Sequence, residues 1–207
     1  MTGPTLVAAI VKAAGAELRT ATFKKRGLTF YRGFDRGLQL LTFQSSRWNT
    51  GSDASFTINL CAYYPGLDAL DVDRPKLPLP VWPPAKLEIP GLGFRSGPQS
   101  RIGQVMLEKR DYWWKVAADS DITTITAHVT ATITEFGIPW LERFSNLEWL
   151  ASYYRDFSPR AAARCYVLLG DLASAREALL AWTREPTLSR DTIDNGLAWG
   201  RIVGLEL

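Results

Sequence analysis

The sequence predicts an α+β protein in which an antiparallel sheet meander packs on helices and an all-helical C-terminal extension follows. Three observations predict this class. Apolar residues recur at helical spacing near the N-terminus, they then alternate with polar residues along three consecutive segments, and from Ser158 onward the composition becomes rich in Ala, Leu and Arg. We therefore expect an α+β domain over residues 1–157 and a helical hairpin extension over residues 158–207 that docks on it.

The first predicted element is an amphipathic helix over residues 5–19. Its apolar residues lie mostly three and four positions apart, and Pro4 supplies a start signal. The next three segments, residues 28–34, 38–48 and 54–64, alternate with a period of two and are separated by glycine-containing turns. An antiparallel meander is the simplest arrangement of three such strands.

Alternation along these strands separates two faces of the predicted sheet. One parity is apolar and is expected to face the first helix: Phe30, Leu41, Phe43, Phe56, Ile58 and Leu60. The other parity is mostly polar or aromatic: Tyr31, Gln44, Ser46, Thr57, Asn59 and Tyr63. The second set forms either an ordinary solvated face or a shaped polar-aromatic surface that recognises a ligand or partner.

A proline-rich insertion is predicted over residues 65–100, which hold most of the 12 prolines. We expect an irregular segment that packs across one sheet edge. Residues 101–107 and 112–116 are then predicted to form two further short strands or a strand-turn pair.

The remaining elements are predicted to be helical. Residues 122–136 fit both a helix and a strand, but the capping aspartates before them and the stop signal at Gly137 favour a helix. A second helix is predicted over residues 140–157. Two further helices, joined by a turn at Gly170, form the extension.

Composition and charge exclude several classes of protein. Hydrophobic residues make up 46% of the chain and charged residues 22%, which is typical of a globular rather than a disordered protein. No apolar run approaches the ~20 residues that span a membrane. Residues 1–18 lack a basic region ahead of an apolar stretch, so we expect no signal peptide and a cytoplasmic location.

The net charge of +3 is unevenly distributed, because residues 1–47, which include the basic run Lys24–Arg26, hold eight basic and two acidic residues and the remainder is net acidic. We interpret that run as a solvated turn and do not expect nucleic acid or a membrane as the partner. With two cysteines and one histidine, the chain lacks the usual zinc ligand sets, and we expect neither a metal nor a cofactor. Cys61 and Cys165 are predicted to be small buried hydrophobic residues, and His128 a partly buried structural one.

The order of several motifs resembles a known family. These motifs are Phe23–Arg32, Phe43–Asn49, Phe56–Leu60, Arg101–Gly103, Asp111–Trp114 and Gly137–Leu141. Together they resemble a bacterial family catalogued as domain of unknown function 4304, over roughly residues 5–150. The resemblance implies a compact α+β domain and carries no established activity. The proline-rich insertion and the helical extension gain no support from it.

The candidate site residues are Gln44, Arg47, Asn49, Asn59, Arg101 and Trp113. We expect them in a cleft between the polar sheet face and the proline-rich insertion, with Trp48, Trp113, Trp114 and Trp140 as apolar walls. Two roles for the arginines stay open. Asp111 or Asp53 can pair with them and lock the insertion to the sheet, or the guanidinium groups can bind a carboxylate or phosphate.

The leading functional hypothesis is a non-catalytic binding protein, of which immunity and toxin-neutralising proteins are one type. Its partner would be a protein or a small anionic ligand, because aromatic residues and arginine are common interface anchors. The alternative is an enzyme that acts on a small anionic or polar metabolite through a pocket of arginine and carboxylate groups.

Overall fold

The computed structural model describes residues 2–73, 75–84 and 97–207, and the chain divides into two compact units. The sheet unit contains the described residues of 1–34, 38–63 and 97–143. The helical unit contains those of 35–37, 64–96 and 144–207. Residues 74 and 85–96 of the predicted proline-rich insertion lie outside the described residues. The insertion was expected to be irregular, but its first residues, Pro65–Ala69, form a helix, and its last two belong to the strand Gln99–Arg101.

The described residues form six strands and nine α-helices. The strands are β1 (Lys24–Arg26), β2 (Thr29–Phe34), β3 (Gly37–Ser45), β4 (Asp53–Tyr63), β5 (Gln99–Arg101) and β6 (Trp114–Ala117). The helices are α1 (Gly3–Thr20), α2 (Pro65–Ala69), α3 (Ile102–Val105), α4 (Ile122–Thr132), α5 (Ile138–Phe144), α6 (Leu147–Arg155), α7 (Pro159–Leu169), α8 (Leu172–Thr183) and α9 (Arg190–Ile202). A π-helical turn, Ile133–Gly137, joins α4 to α5.

The sheet is an antiparallel meander, and β4 is its central strand. The strand order is β1-β2-β3-β4-β5, and β6 also pairs with β4. One edge of β4 pairs with β3, from Leu38 opposite Tyr63 to Ser45 opposite Phe56. The other edge is shared by β5 and β6. The predicted fold class is therefore confirmed.

The core of the sheet unit lies between α1, α4 and one face of the sheet. All six residues predicted to face inward are buried, with at most 2% of their surface exposed. They share this core with the buried side of α1, which includes Leu6 and Ile10. The alternation of apolar residues therefore identified the inner face correctly.

Two short segments of the sheet unit differ from the sequence predictions. Lys24–Arg26 was expected to be a turn, but it forms the edge strand β1, and all three residues are exposed. Residues 101–107 were expected to be a short strand or part of a strand-turn pair, but the strand ends at Arg101 and the chain turns into α3. Tertiary pairing with β2 and β4 decides both cases, because such short segments have too few residues to show a period.

The predicted helix over 122–136 is confirmed, but it does not end at Gly137. It continues through the π-helical turn into α5, and Ile138 N–H donates to the Ile133 carbonyl. Pro139 lacks an N–H, and in a regular α-helix its ring would collide with the carbonyl four residues earlier. The wider turn accommodates the proline without ending the helix.

The predicted helix over 140–157 is two helices. The helical structure is interrupted at Ser145. Asn146 then caps α6, because its Oδ1 accepts a hydrogen bond from Trp149 N–H at 2.6 Å.

The helical unit contains the predicted hairpin. Helix α7 ends at Gly170, whose φ of 80° is left-handed, and Asp171 caps α8 by accepting from Ser174 N–H. Cys61 in the sheet unit and Cys165 in the helical unit are buried, as predicted. Across the described residues, the structure has no helix that is long and apolar enough to span a membrane.

Candidate functional site

The candidate site lies on the sheet face opposite the core, which we call the polar face. It carries Gln44, Asp53, Ser55, Thr57, Asn59, Arg101 and Lys115. Burial changes along this face. Leu40 and Cys61 at one end are buried, Gln44 and Asn59 are intermediate, and Asp53 and Lys115 at the other end are exposed. The end of the face that Asp53 and Lys115 mark is therefore the end that is open to solvent.

Two neighbouring hydrogen-bonded groups, which we together call the Arg101 cluster, occupy the middle of the polar face. Asn59 Nδ2 donates to Gln44 Oε1 at 2.7 Å, and Arg101 is the β5 partner of Asn59. The Arg101 Nη1 and the Trp113 Nε1 both donate to Asp111 Oδ2, at 2.7 and 3.0 Å. The guanidinium also lies 5.4 Å from the centre of the Trp113 ring. One carboxylate thus orients both the cation and the indole.

Asp111 is ionised at neutral pH. The hydrogen bond from the Trp113 indole, followed by that from the Arg101 guanidinium, lowers the pKa of this carboxyl below its usual range. Of the two partners weighed for Arg101, Asp53 or Asp111, the structure pairs it with Asp111. Both side chains of this ion pair are partly exposed, at 39% and 48%.

Arg47 and Asn49 belong to a different part of the polar face, the Trp48 turn (residues 46–52), which joins β3 to β4. Asn49 Nδ2 donates to the Ser55 carbonyl, and Ser55 N–H donates to Asn49 Oδ1 at 2.7 Å. These two bonds fix the turn to the start of β4. The Arg47 guanidinium stacks over the Trp48 ring at 4.8 Å, and Trp48 is 77% exposed.

A groove of about 380 Å³ lies beside this turn, and we call it the Trp48 groove. Trp48 and Asn49 line one side, Lys115 and Ser120 line the other, and Ala54 and Val116 contribute apolar atoms. Within the part of the chain that the structure describes, neither Arg47 nor Lys115 has an ion-pair partner. The groove therefore combines an exposed indole with the Lys115 cation, and the Arg47 guanidinium stacks on that indole.

The predicted site residues fall into two groups. Gln44, Asn59, Arg101 and Trp113 meet in the Arg101 cluster, whereas Arg47 and Asn49 lie in the Trp48 turn. Asn59, beside Arg101, and Ser55, which is bonded to Asn49, are four residues apart on β4, which spaces the two groups by roughly 13 Å at about 3.3 Å per residue.

Sequence reasoning did not include Asp53 and Lys115 among the site residues. Lys115 lies between two apolar residues of the predicted strand over 112–116, and this alternation was the signal that could have placed it on the polar face. Two of the four predicted tryptophan walls, Trp48 and Trp113, lie on the polar face. Trp114 lies instead in the core, where its ring stacks on Phe56 at 5.3 Å.

His128 is exposed rather than partly buried, and its Nδ1 accepts a hydrogen bond from the Trp114 indole at 3.2 Å. Among residues 2–73, 75–84 and 97–207, no group of three or more His, Cys, Asp or Glu side chains is placed to hold a metal ion.

Comparison with known proteins relates the sheet unit to a family. The family model described as Domain of unknown function (DUF4304) matches residues 14–143, which is more than half of the chain. The chain belongs to this family. The DUF4304 match contains both the Arg101 cluster and the Trp48 turn, and it ends at Arg143, the last residue of the sheet unit. No curated protein and no solved structure matches the chain.

Proposed function

We propose that this protein is a non-catalytic interaction protein that binds an acidic partner protein through the Trp48 turn and the adjoining polar face. One observation carries the proposal. The turn presents a tryptophan that is 77% exposed, with an arginine stacked on it at 4.8 Å. Immunity and toxin-neutralising proteins are one form that such a binding function takes.

Tryptophan and arginine are the residues that most often dominate the binding energy of protein interfaces. Exposing an indole to water is unfavourable, so a partner that covers Trp48 gains the free energy of removing that apolar surface from water. The Asn49 bonds to Ser55 hold the turn in place before binding. Such preorganisation reduces the conformational entropy lost on association.

The charge of the site supports an acidic partner. Arg47 and Lys115 flank Trp48 without ion-pair partners among the described residues. Carboxylates on a partner would supply the missing counter-charges and would also speed the encounter. Asp53 lies at the edge of the same groove and limits how a strongly acidic segment can be oriented there.

The enzyme alternative depends on the Arg101 cluster. Asp111 accepts hydrogen bonds from two donors and has a lowered pKa, so it is a poor proton donor at neutral pH. Arg101 is already paired with it. This arrangement favours a role for the cluster in orienting Trp113 at the rim of the binding surface.

The proposal is tested by immobilising the full chain and capturing proteins from an extract of its native host. We expect at least one protein to bind the wild type and the control variant Lys12→Gln, which changes an exposed cation on α1. The same protein should be lost with Trp48→Ala and weakened with Arg47→Gln. Its retention should fall as salt is added, because exposed charges are screened.

Equal capture by the wild type and Trp48→Ala would show that the partner does not use this surface. Turnover of a small anionic metabolite that Arg101→Gln abolishes would instead favour the enzyme alternative.

A further inference from the structure

A second cavity lies in the sheet unit, between the C-terminal turn of α1 and the π-helical turn. We call it the α1–π pocket, and its volume is about 180 Å³. Leu18 and Ala21 line it from the α1 side, and Ile133 and Ile138 line it from the other side. The pocket shares no lining residue with the Trp48 groove.

The π-helical turn builds this pocket. Ile138 N–H donates to the Ile133 carbonyl five residues earlier, and these same two residues line the cavity. Between them, Gly137 is buried, and a Cβ added there would lie 3.1 Å from Ile102 Cδ1. The widened turn is therefore held closely against α3 while its two isoleucines border the cavity. Single π-turns within α-helices frequently occur at functional sites.

The size and lining of the pocket specify the apolar part of a ligand. A cavity of about 150 Å³ lined by aliphatic side chains is large enough to bind benzene. The α1–π pocket is slightly larger and offers aliphatic atoms from Leu18, Ile133 and Ile138. A six-membered ring with one substituent matches this space.

The charge at the pocket specifies the polar part. Glu17 is the only ionisable residue among its described lining residues, and the other polar side chains there are threonines. The Arg32 guanidinium, which donates to the carbonyl of the lining residue Ala21, is already paired with Glu142. The Glu17 side chain is exposed and has no ion pair or hydrogen bond within the described chain. A cationic group on the ligand would find a carboxylate and hydroxyl acceptors at the opening.

We propose that the α1–π pocket binds a small organic amine, with its ring or branched carbon chain against Leu18, Ile133 and Ile138 and its ammonium group beside Glu17. The proposal is independent of the interaction surface at Trp48. A ligand at this pocket bridges α1 to the turn that follows α4, so it couples the two helices that cover the core.

Three probes with the same ring and different charge test the proposal: benzylamine, benzyl alcohol and benzoate. Each is titrated into the full-length, isotope-labelled protein while amide chemical shifts are followed by NMR. We expect saturable shifts at residues 14–21 and 130–138, with affinity highest for benzylamine and lowest for benzoate. Shifts confined to other residues, or affinity for benzoate equal to that for benzylamine, would overturn the proposal.

Matched variants measure the contribution of the Glu17 charge to binding separately from that of the apolar cavity. Glu17→Gln should weaken benzylamine binding by about two- to fivefold, as removal of an exposed ion pair does, and should leave benzyl alcohol unchanged. Glu135→Gln, on the exposed side of the π-helical turn, is the control and should change neither.

Ala21→Leu fills the pocket and should abolish binding of both benzylamine and benzyl alcohol, whereas Ala16→Leu on the exposed side of α1 should not. If Ala21→Leu fails to fold, the Glu17→Gln comparison decides the matter alone. Equal benzylamine affinity for Glu17→Gln and the wild type contradicts the proposed role of the carboxylate.

Discussion

The two units of this protein fill their cores in different ways. In the sheet unit, large aromatic rings pack on one another: Phe43 lies 5.8 Å from Phe30 and 5.9 Å from Phe56, and Phe56 stacks on Trp114. In the helical unit, the ring contacts involve exposed side chains such as Trp149, Tyr153 and Phe157, and large side chains elsewhere pack directly against glycines of neighbouring helices. A Cβ added to Gly196 of α9 would lie 2.1 Å from the Trp182 ring of α8.

Glycine also lies at other helix contacts in the helical unit. A Cβ on Gly66 of α2 would lie 2.5 Å from Leu168 of α7, and one on Gly200 of α9 would lie 2.6 Å from Leu179 of α8. A core built from large rings loses most when a ring is removed. Helices that approach through glycine lose most when an atom is added.

The largest expected effect is in the sheet unit. Phe56→Ala removes a fully buried ring that contacts two others, and we expect the free energy of unfolding to fall by about 3–5 kcal/mol. Urea unfolding followed by circular dichroism measures the change. Leu107→Ala, at a position that is 82% exposed, is the control and should change stability by less than about 0.5 kcal/mol. A loss below about 1 kcal/mol for Phe56→Ala would contradict the ring-packed core.

The next largest expected effect is a loss of stability in the helical unit when an atom is added rather than removed. Gly196→Ala gains up to about 1 kcal/mol of helix propensity, yet we expect a net loss of about 1–2 kcal/mol. The reason is that Trp182 is 6% exposed and has little room to move away from the new methyl group. Thermal unfolding measures the loss.

The matched control is Gly33→Ala in β2, where an added Cβ meets nothing within 4 Å. That variant should be as stable as the wild type or slightly more so. A stabilised Gly196→Ala protein would show that α8 and α9 do not need the close approach.

A smaller effect is expected where the helical unit begins. Asn146→Ala removes the side-chain cap of α6 and should cost about 1 kcal/mol in the free energy of unfolding. Asn146→Asp keeps an acceptor oxygen and should restore most of that loss. Asn195→Ala, at an exposed position inside α9, is the control and should be neutral or stabilising because alanine favours helices. Chemical unfolding of the three variants gives the comparison, and a neutral Asn146→Ala would argue against a capping role.

The smallest effect concerns the polar face of the sheet unit. The folded pKa of Asp111 is lowered, so its contribution to stability is present above the ordinary carboxyl pKa and is lost as the pH falls through the folded value. Asp111→Asn should therefore be less stable than the wild type at pH 7, by less than about 1 kcal/mol since the group is exposed. The two proteins should converge in stability as the pH is lowered from 7 through the folded pKa of Asp111.

Melting temperatures of both proteins across this pH range measure the difference. A constant gap between them at every pH would show that the Asp111 charge contributes nothing to folding.

Much of the fold follows from patterns along the chain. Helix α1, strands β2 to β4 and the hairpin of α7 and α8 each have enough residues to show a period or a stop signal. The face of the sheet that packs on α1 was identified from alternation alone, and all six of its predicted residues are buried. Short elements such as β1 and α3 could not be assigned in this way.

The candidate site was only partly predictable. Unusual polar residues in strands identified Gln44 and Asn59, and their hydrogen bond places them together. The sequence carried no sign that Arg47 and Arg101 belong to separate groups. That separation depends on β5 pairing with β4 at Asn59 while the Trp48 turn lies beyond Asp53 at the other end of the strand.

By itself, the sequence determined the α+β class, the inner face of the sheet and the residue types available to a binding surface, because hydrophobic periodicity is a local property of the chain. Only the tertiary structure decided that Asp111 holds both Arg101 and Trp113, that β6 lies beside β4, and that the helix passes Gly137 through a π-helical turn. Each of these depends on the free energy of contacts with other elements, as when Trp114 stacks on Phe56, and such contacts leave no period along the chain.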